Sequence, residues 1–461
     1  MLDESDVRVV LAAALATGGD WSEVYAEHRD STSIAIEDHR VERLSSGRDM
    51  GAGVRVVKGP QAAYAYTNVL TRDSLLSAAK AAAAALAGAQ AATVADLTQA
   101  APPVRHSVRL SPADADKGAK VALTRRVEET AWAQGGEVRQ VTASYADVRQ
   151  QIFLANSLGH LSDTTRTRVR LMAQVVAARD GLVQTGFEGP GATAGLELFD
   201  EIAPESIGEK AAQQALRLLD SDPSPAGEMI VVLNAGGGGV LFHEACGHGL
   251  EADAIAKDTT VYAGTRGQRV GSELFSGVDD ATMPNAWGSL GFDDEGTPAQ
   301  RTVLFEGGVQ AGMMSDRISA AKLSTASTGN ARRQSYAHVP LPRMTNSLVL
   351  PGESDPRAII ADVDHGLYAE GLGGGEVDPA TGDFVFGVTE AYLIEKGELT
   401  RRVRGANLIG NGPRTLALVD AVGSDFDLKQ GMCGKGGQWV PVAFGTPTLR
   451  IARLTVGGTG G

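Results

Sequence analysis

The spacing of hydrophobic positions changes along the chain. Val7 to Ala16 is rich in Ala, Val and Leu and stops at Gly18-Gly19, which predicts a short helix. Three groups of β-formers follow, Val24-Tyr25-Ala26, Thr32 to Ile36 and Gly53 to Val57, with turn residues between them, and predict strands within 22–57. Ser74 to Ala87 predicts an alanine-rich helix, Ala101-Pro102-Pro103 a break, and Asp114 to Trp132 an amphipathic helix. From Val138 to Thr185 the pattern turns to long strands. In Arg166-Thr167-Arg168-Val169-Arg170-Leu171 the arginines fall on one face and Thr167, Val169 and Leu171 on the other. Such alternation predicts an antiparallel sheet with one wet face. Ser206 to Leu219 is a further helix.

Asp222-Pro223-Ser224-Pro225-Ala226-Gly227 reads as a linker, and the pattern changes after it. Met229 to Leu233 is a buried strand, followed by four glycines (Gly236 to Gly239) and a helical segment. The remainder is rich in turns and strands, with dense glycine at 371–387 and 423–437. These shifts place a domain boundary at 222/223: an N-terminal α+β domain, 1–222, with helices over an antiparallel sheet, and a C-terminal domain, 223–461, with a mixed, strongly curved sheet. No internal repeat is evident.

Composition narrows the function. With 461 residues, 43% hydrophobic and 21% charged, the chain is an ordinary globular protein. A net charge of −14 argues against a nucleic-acid surface. No basic, apolar leader and no apolar run of ~18 residues is present, so a cytoplasmic protein without a membrane span is expected. Cys246 and Cys433 are the two cysteines, too few for a disulfide framework; each is either a buried hydrophobe or a metal ligand.

The chemistry concentrates in His243-Glu244-Ala245-Cys246-Gly247-His248. Two imidazoles and a carboxylate are what a hydrolytic zinc site needs: ligands for the ion, and a base for its water. In the familiar H-E-x-x-H helix the histidines are four apart and share a face. Here they are five apart, which on a regular α-helix separates them by about 140°. Both reach one ion if the helix widens into a π-type turn or unwinds at Gly247. A third ligand is then required. Glu251, Asp253 and Cys433 are candidates, and Cys246, three residues after His243, lies on nearly the same helix face. The glycine run ahead of the helix also invites a phosphate-loop reading, but no Gly-Lys-Ser/Thr follows, and a tight packing turn explains it. His338 and His365 read as loop histidines.

The run from His243 to Asp253 resembles the H-E-x-x-x-H-G-L-E-x-D signature of the TldD branch of the TldD/PmbA metalloproteases. Thr328-Gly329-Asn330-Ala331-Arg332-Arg333, Arg343-Met344-Thr345-Asn346 and Met432 to Val442 match further family stretches. The resemblance implies that His243, His248 and Cys433 bind Zn²⁺ and that Glu244 is the catalytic carboxylate, with Cys246 at an unfixed position. It also implies a half-barrel in the C-terminal domain and a TldE/PmbA-like paralogue as partner, with a homodimer as the fallback. The expected activity is zinc-dependent hydrolysis of flexible or unfolded peptides, in which Glu244 activates a zinc-bound water. The glycine-rich strands at 371–387 suggest that substrate lies as an added strand. A metal-stabilised binding or regulatory protein is the alternative, and a hydrolase of a non-peptide amide a third reading.

Overall fold

The computed structural model describes residues 3–86 and 92–458. The first sheet begins with a tight hairpin. Asp38 and His39 both take positive φ, 46° and 66°, and reverse the chain between Trp21–Glu37 and Arg40–Lys58. The polar residues expected to form turns lie within these two strands instead: Glu27 to Ser31 pair continuously with Gly51 to Gly47. Main-chain pairing carries the ladder through them, because Trp21–Glu37 is flanked on its other side by Val138–Asn156. The spatial order is Gln61–Thr67, Arg40–Lys58, Trp21–Glu37, Val138–Asn156, His160–Arg179, and the pairing along it is antiparallel.

Helices cover one face of this sheet. Glu4–Leu15 and Arg72–Ala85 bury Val10, Leu11, Leu75 and Ala79 against Val24, Val54 and Val56. Lys117–Trp132 and Pro204–Leu219 pack over Ile34, Val141, Val169 and Leu171. These two helices touch closely: a Cβ at Gly208 would lie 2.1 Å from the Val127 carbonyl oxygen. Of the expected helix 74–87, Ala87 lies outside the described residues.

The opposite face is not wet, contrary to the alternation argument. Later chain segments lie on it and supply partners for its charges. Arg166 pairs with Asp294 at 2.8 Å, and Arg168, 7% exposed, donates from Nε to the Trp287 carbonyl oxygen. At the centre, Glu23 lies between two guanidiniums, 2.9 Å from Arg55 and 2.5 Å from Arg333, while Arg55 also reaches Glu295 at 2.5 Å. All four side chains are buried. Burial would raise the Glu23 pKa, but Arg55 and Arg333 outweigh it and hold the carboxyl below its ordinary value.

After Leu219 the architecture becomes a curled mixed sheet. Pairing runs from His365–Val377 to Gly227–Leu233, Leu449–Gly457, Asn407–Asn411 and Asp383–Glu395, and returns to His365–Val377. Two of these strands, Gly227–Leu233 and His365–Val377, are parallel and the others antiparallel. A six-stranded sheet lies beside the ring and ends in the hairpin Asp427–Lys435 and Gln438–Thr446. One large apolar cluster joins them, with Phe242, Leu250, Phe305, Leu367, Phe386 and Ile451 among its members. The protein is thus α+β with a partly closed barrel, as expected. Among the described residues no helix is long and apolar enough to cross a membrane.

Removing one charge from a buried ionic group strands its partners in a low-dielectric setting. Glu23→Gln should therefore destabilise the protein by ~3 kcal/mol, read as a lowered midpoint of chemical denaturation. An unchanged midpoint would mean that Arg55 and Arg333 are satisfied without it.

Candidate metal centre

The site is built where Gly227–Leu233 leaves the sheet. The chain turns at Gly236, whose φ is +74°, and enters the short helix Gly239–Phe242. A Cβ at Gly239 would come within 2.9 Å of the Phe444 carbonyl carbon, so small residues let this helix press onto Gln438–Thr446. The glycine run acts as a packing turn.

The helix then widens. His243–Gly247 is a single π-helical turn, in which the His248 N–H donates to the His243 carbonyl, five residues earlier. His248–Leu250 tightens again into a 3₁₀ turn. The wide turn removes the angular mismatch of the five-residue spacing. The two imidazoles come to the same side, with ring centroids 5.3 Å apart and planes at 84°.

Cys433 approaches from Asp427–Lys435, on the face of that strand turned toward the helix. Its Sγ lies 3.4 Å from His248 Nε2. Ligand atoms of His243, His248 and Cys433 all fall within 4.8 Å of one another. His243 is 2% exposed, yet its Nδ1 has no hydrogen-bond partner. Burial would raise the pKa of the Cys433 thiol; the two imidazoles outweigh it and bring the group down to about 4. A thiolate with two imidazoles is a donor set suited to zinc.

A polar clamp orients these groups. The Glu251 carboxyl is fully buried, which would raise its pKa, but His248, Lys435 and Arg343 together lower it to about 2. An ionised carboxylate only accepts, so His248 Nδ1 donates to Glu251 Oε2 at 3.1 Å. That fixes the tautomer and turns Nε2 toward Cys433. Lys435 Nζ sits 3.0 Å from Glu251 and 2.6 Å from Asp253. Arg343 Nη2 donates to the Cys433 carbonyl oxygen at 2.5 Å. Two stretches singled out in the sequence meet beneath: Asn330 Nδ2 and Thr345 Oγ1 both donate to the buried Asp279 carboxylate, at 2.8 and 2.5 Å.

Glu244 stands at the rim. Its side chain is 24% exposed, and its Oε2 lies 3.7 Å from His248 Nε2. The other local candidates fall outside the converging group. Cys246 is fully buried in the apolar cluster beside the Tyr262 hydroxyl at 3.5 Å, and burial pushes its thiol up to about 12. Asp253 pairs with Lys435, and Glu251 is turned to His248 Nδ1. His338 bonds Ser335 at 2.9 Å, and His365 is exposed. The orienting role of Glu251 was missed from sequence, although its place three residues after His248 is the signal. Arg343 and Lys435 lie in stretches singled out in the sequence, but their roles were not legible there, because their partners are distant in the chain.

Beside the site opens a cavity of about 730 Å³, lined by Phe444, Gly236, Gly237 and Gly371 to Gly374. Phe444 meets the His243 ring edgewise at 5.9 Å.

Comparison with known proteins agrees with the motifs. The PmbA/TldA metallopeptidase C-terminal domain profile matches residues 226–458, the central domain profile 110–219 and the domain 1 profile 22–86. The chain belongs to the TldD/PmbA metallopeptidase family. Similar relatives are named metalloproteases. A metalloprotease TldD homolog of Haemophilus influenzae is 39% identical over 449 residues, covering 95% of this chain and 93% of the relative. A metalloprotease of Methanothermobacter thermautotrophicus is 34% identical and covers 95% and 96%. The crystal structure of TldE from Thermococcus kodakarensis superposes with a TM-score of 0.80 over 98% of this chain and all of that one, at 19% identity, and so shares the fold.

The depressed Cys433 pKa has a direct readout. In metal-free protein the ultraviolet thiolate absorbance should persist as the pH is lowered through neutrality and disappear only near pH 4. It should be absent at neutral pH in Cys433→Ala and unchanged in Cys246→Ala. Loss of the signal already near pH ~8, where an ordinary thiol titrates, would contradict the geometry.

Proposed function

We propose that this chain is a zinc-dependent peptidase acting on flexible or unfolded peptides. The observation that carries this reading is the convergence of His243, His248 and Cys433 with Glu244 left partly open at their rim. Three converging side chains, with no fourth His, Cys, Asp or Glu in the group, suit an open hydrolytic site better than a closed structural one among the described residues. The metal-stabilised binding protein is the weaker reading for that reason.

His243, His248 and Cys433 would hold the ion. Zinc, when bound, supplies Lewis acidity, polarising a carbonyl and acidifying water toward a pKa of ~7. Glu244 accepts the proton of the attacking water and passes it to the leaving amine. Glu251 holds the His248 ring, and Arg343 holds the backbone of Cys433, so the donor set is in place before substrate arrives. The pairing of His365–Val377 with Asp383–Glu395 skips register between Leu372 and Gly375, which leaves Gly373 and Gly374 out of the ladder at the cavity wall. Their main-chain groups can pair with an extended peptide, whose side chains would matter little. An open edge of this kind needs covering, and a TldE-like paralogue, or a second copy of this chain, would enclose it.

The assignment separates residues that look alike in sequence. Purified protein should contain about one zinc per chain, the stoichiometry of one three-ligand site. Cys433→Ala should lose both metal and hydrolysis, and Cys246→Ala should keep both. Glu244→Gln should keep the metal and lose turnover by on the order of 10²-fold or more. Loss of metal in step with activity would make Glu244 a ligand; elemental analysis decides it.

Substrate form is the second test. A peptide should be cleaved when flexible and spared inside a stable fold, since freeing a strand costs several kcal/mol. The active species should be at least a dimer by light scattering. Equal cleavage of folded and unfolded forms, or an active monomer, would contradict the enclosed-strand reading.

A further inference from the structure

The motif Thr328–Arg333 ends in two arginines, and the hydrolytic site uses neither. Arg333 is neutralised by Glu23. Arg332 is 3% exposed and, among the described residues, has no carboxylate within ion-pair distance; its Nη1 donates to the Met344 carbonyl oxygen at 2.5 Å. Arg168, from the face of the first sheet expected to be wet, is in the same position. It is 7% exposed, and among the described residues its one hydrogen-bond partner is the Trp287 carbonyl oxygen at 3.1 Å. Burial, with Arg166 and Arg332 close by, pushes the Arg168 pKa well below its ordinary value. A buried guanidinium without a carboxylate in ion-pair contact is costly, and here two of them line one cavity, with Asp294 acting on both only from a distance.

That cavity has a volume of about 360 Å³ and lies between the first sheet and the Asp427–Thr446 hairpin. Its charge is one-sided. Arg29, Arg166, Arg168, Arg170, Arg332 and Arg333 line it, against the carboxylates of Asp147 and Asp294. Both carboxylates are already engaged, Asp147 by Lys120 at 2.6 Å and Asp294 by Arg166 at 2.8 Å. The facing wall is apolar and aromatic, made by Trp287, Met432, Trp439 and Pro441. Adjacent strand residues point to opposite faces, so Met432 lines this cavity while Cys433 faces the histidines. The cavity is therefore behind the metal centre and separate from it.

We propose that this cavity is a second binding site, for an organic carboxylate with an apolar body, either the C-terminal carboxylate of a short peptide or an acidic side chain. Arg168 and Arg332 each have N–H groups left to donate, and two planar forks converging on one space match the two oxygens of a carboxylate. The tryptophans and Met432 would cover the carbon skeleton, which favours an organic acid over an inorganic anion. The volume suits a ligand of one or two residues, near the lower end of small-molecule sites at ~300 Å³. Binding needs no zinc and no turnover.

The test uses the full-length, zinc-loaded protein and its Glu244→Gln variant, with binding measured by calorimetry. N-acetyl-Ala-Ala-Phe as the free acid is compared with its C-terminal amide, and N-acetyl-Ala-Glu-Ala amide with its Gln counterpart. At least one acid should bind ~10-fold or more tightly than its neutral twin, the usual scale for hydrogen bonds to a charged group. The first pair identifies a terminal carboxylate as the ligand, the second a side chain. Arg168→Met should abolish the discrimination. Trp439→Ala, at an exposed position that tolerates truncation, should weaken the preferred acid on its own. Equal affinity within both pairs, discrimination that survives Arg168→Met, or inorganic phosphate binding more tightly than either acid would overturn the proposal. Absence of peptide cleavage would count against the peptidase reading and leave these affinities unaffected.

Discussion

A single backbone hydrogen bond, from the His248 N–H to the His243 carbonyl, sets the terms for the candidate metal centre. On a regular helix the histidines would diverge by about 140°. The π turn inserts one residue into the helical circuit and converts the divergence into a shared face. The turn is supported from outside. Gly247 has no Cβ, and a Cβ there would lie 2.0 Å from Met344 Sδ. Met344 in turn belongs to the stretch whose neighbours Arg343 and Thr345 hold Cys433 and Asp279. The odd spacing, the glycine and the distant Arg-Met-Thr-Asn stretch are three parts of one geometric solution.

Electrostatics then does what geometry alone cannot. An imidazole and a thiol buried together would ordinarily both be neutral. The Glu251 carboxylate, kept ionised by Lys435 and Arg343, fixes the His248 proton on Nδ1 and leaves Nε2 directed at the sulfur. Cys246 marks the contrast: three residues from His243 and in an apolar setting, its thiol stays protonated. Two cysteines of one chain are driven in opposite directions by their neighbours, and helix proximity to His243 does not bring Cys246 into the converging group.

Much of this was legible in sequence where the signal was local. The β-formers, the helical runs and the need for a widened or unwound turn between His243 and His248 all follow from residues close together in the chain; the stretch expected as a linker is partly strand, since Asp222 and Pro223 pair with Val403 and Arg404. What failed was non-local. The alternation at Arg166–Leu171 correctly implied an antiparallel strand, but a polar face says only that partners are polar, not that they are water. Asp294 and the Trp287 carbonyl take that place. Likewise, the polar residues between Ala26 and Thr32 looked like turns because side-chain chemistry cannot report that strands on both sides hold the main chain extended.

The charged seam between the first sheet and the later chain also bears on how the protein is made. Arg55 and Glu295 are 240 residues apart, and Glu23 and Arg333 are 310 apart. The first sheet with its four helices leaves the ribosome long before those partners exist, and nascent domains fold in that order. An apolar docking face would be sticky during the wait. This one presents Glu23, Arg55, Arg166 and Arg168, groups that water solvates readily before their partners are made. Closing the seam exchanges that water for partners 240 and 310 residues further along the chain.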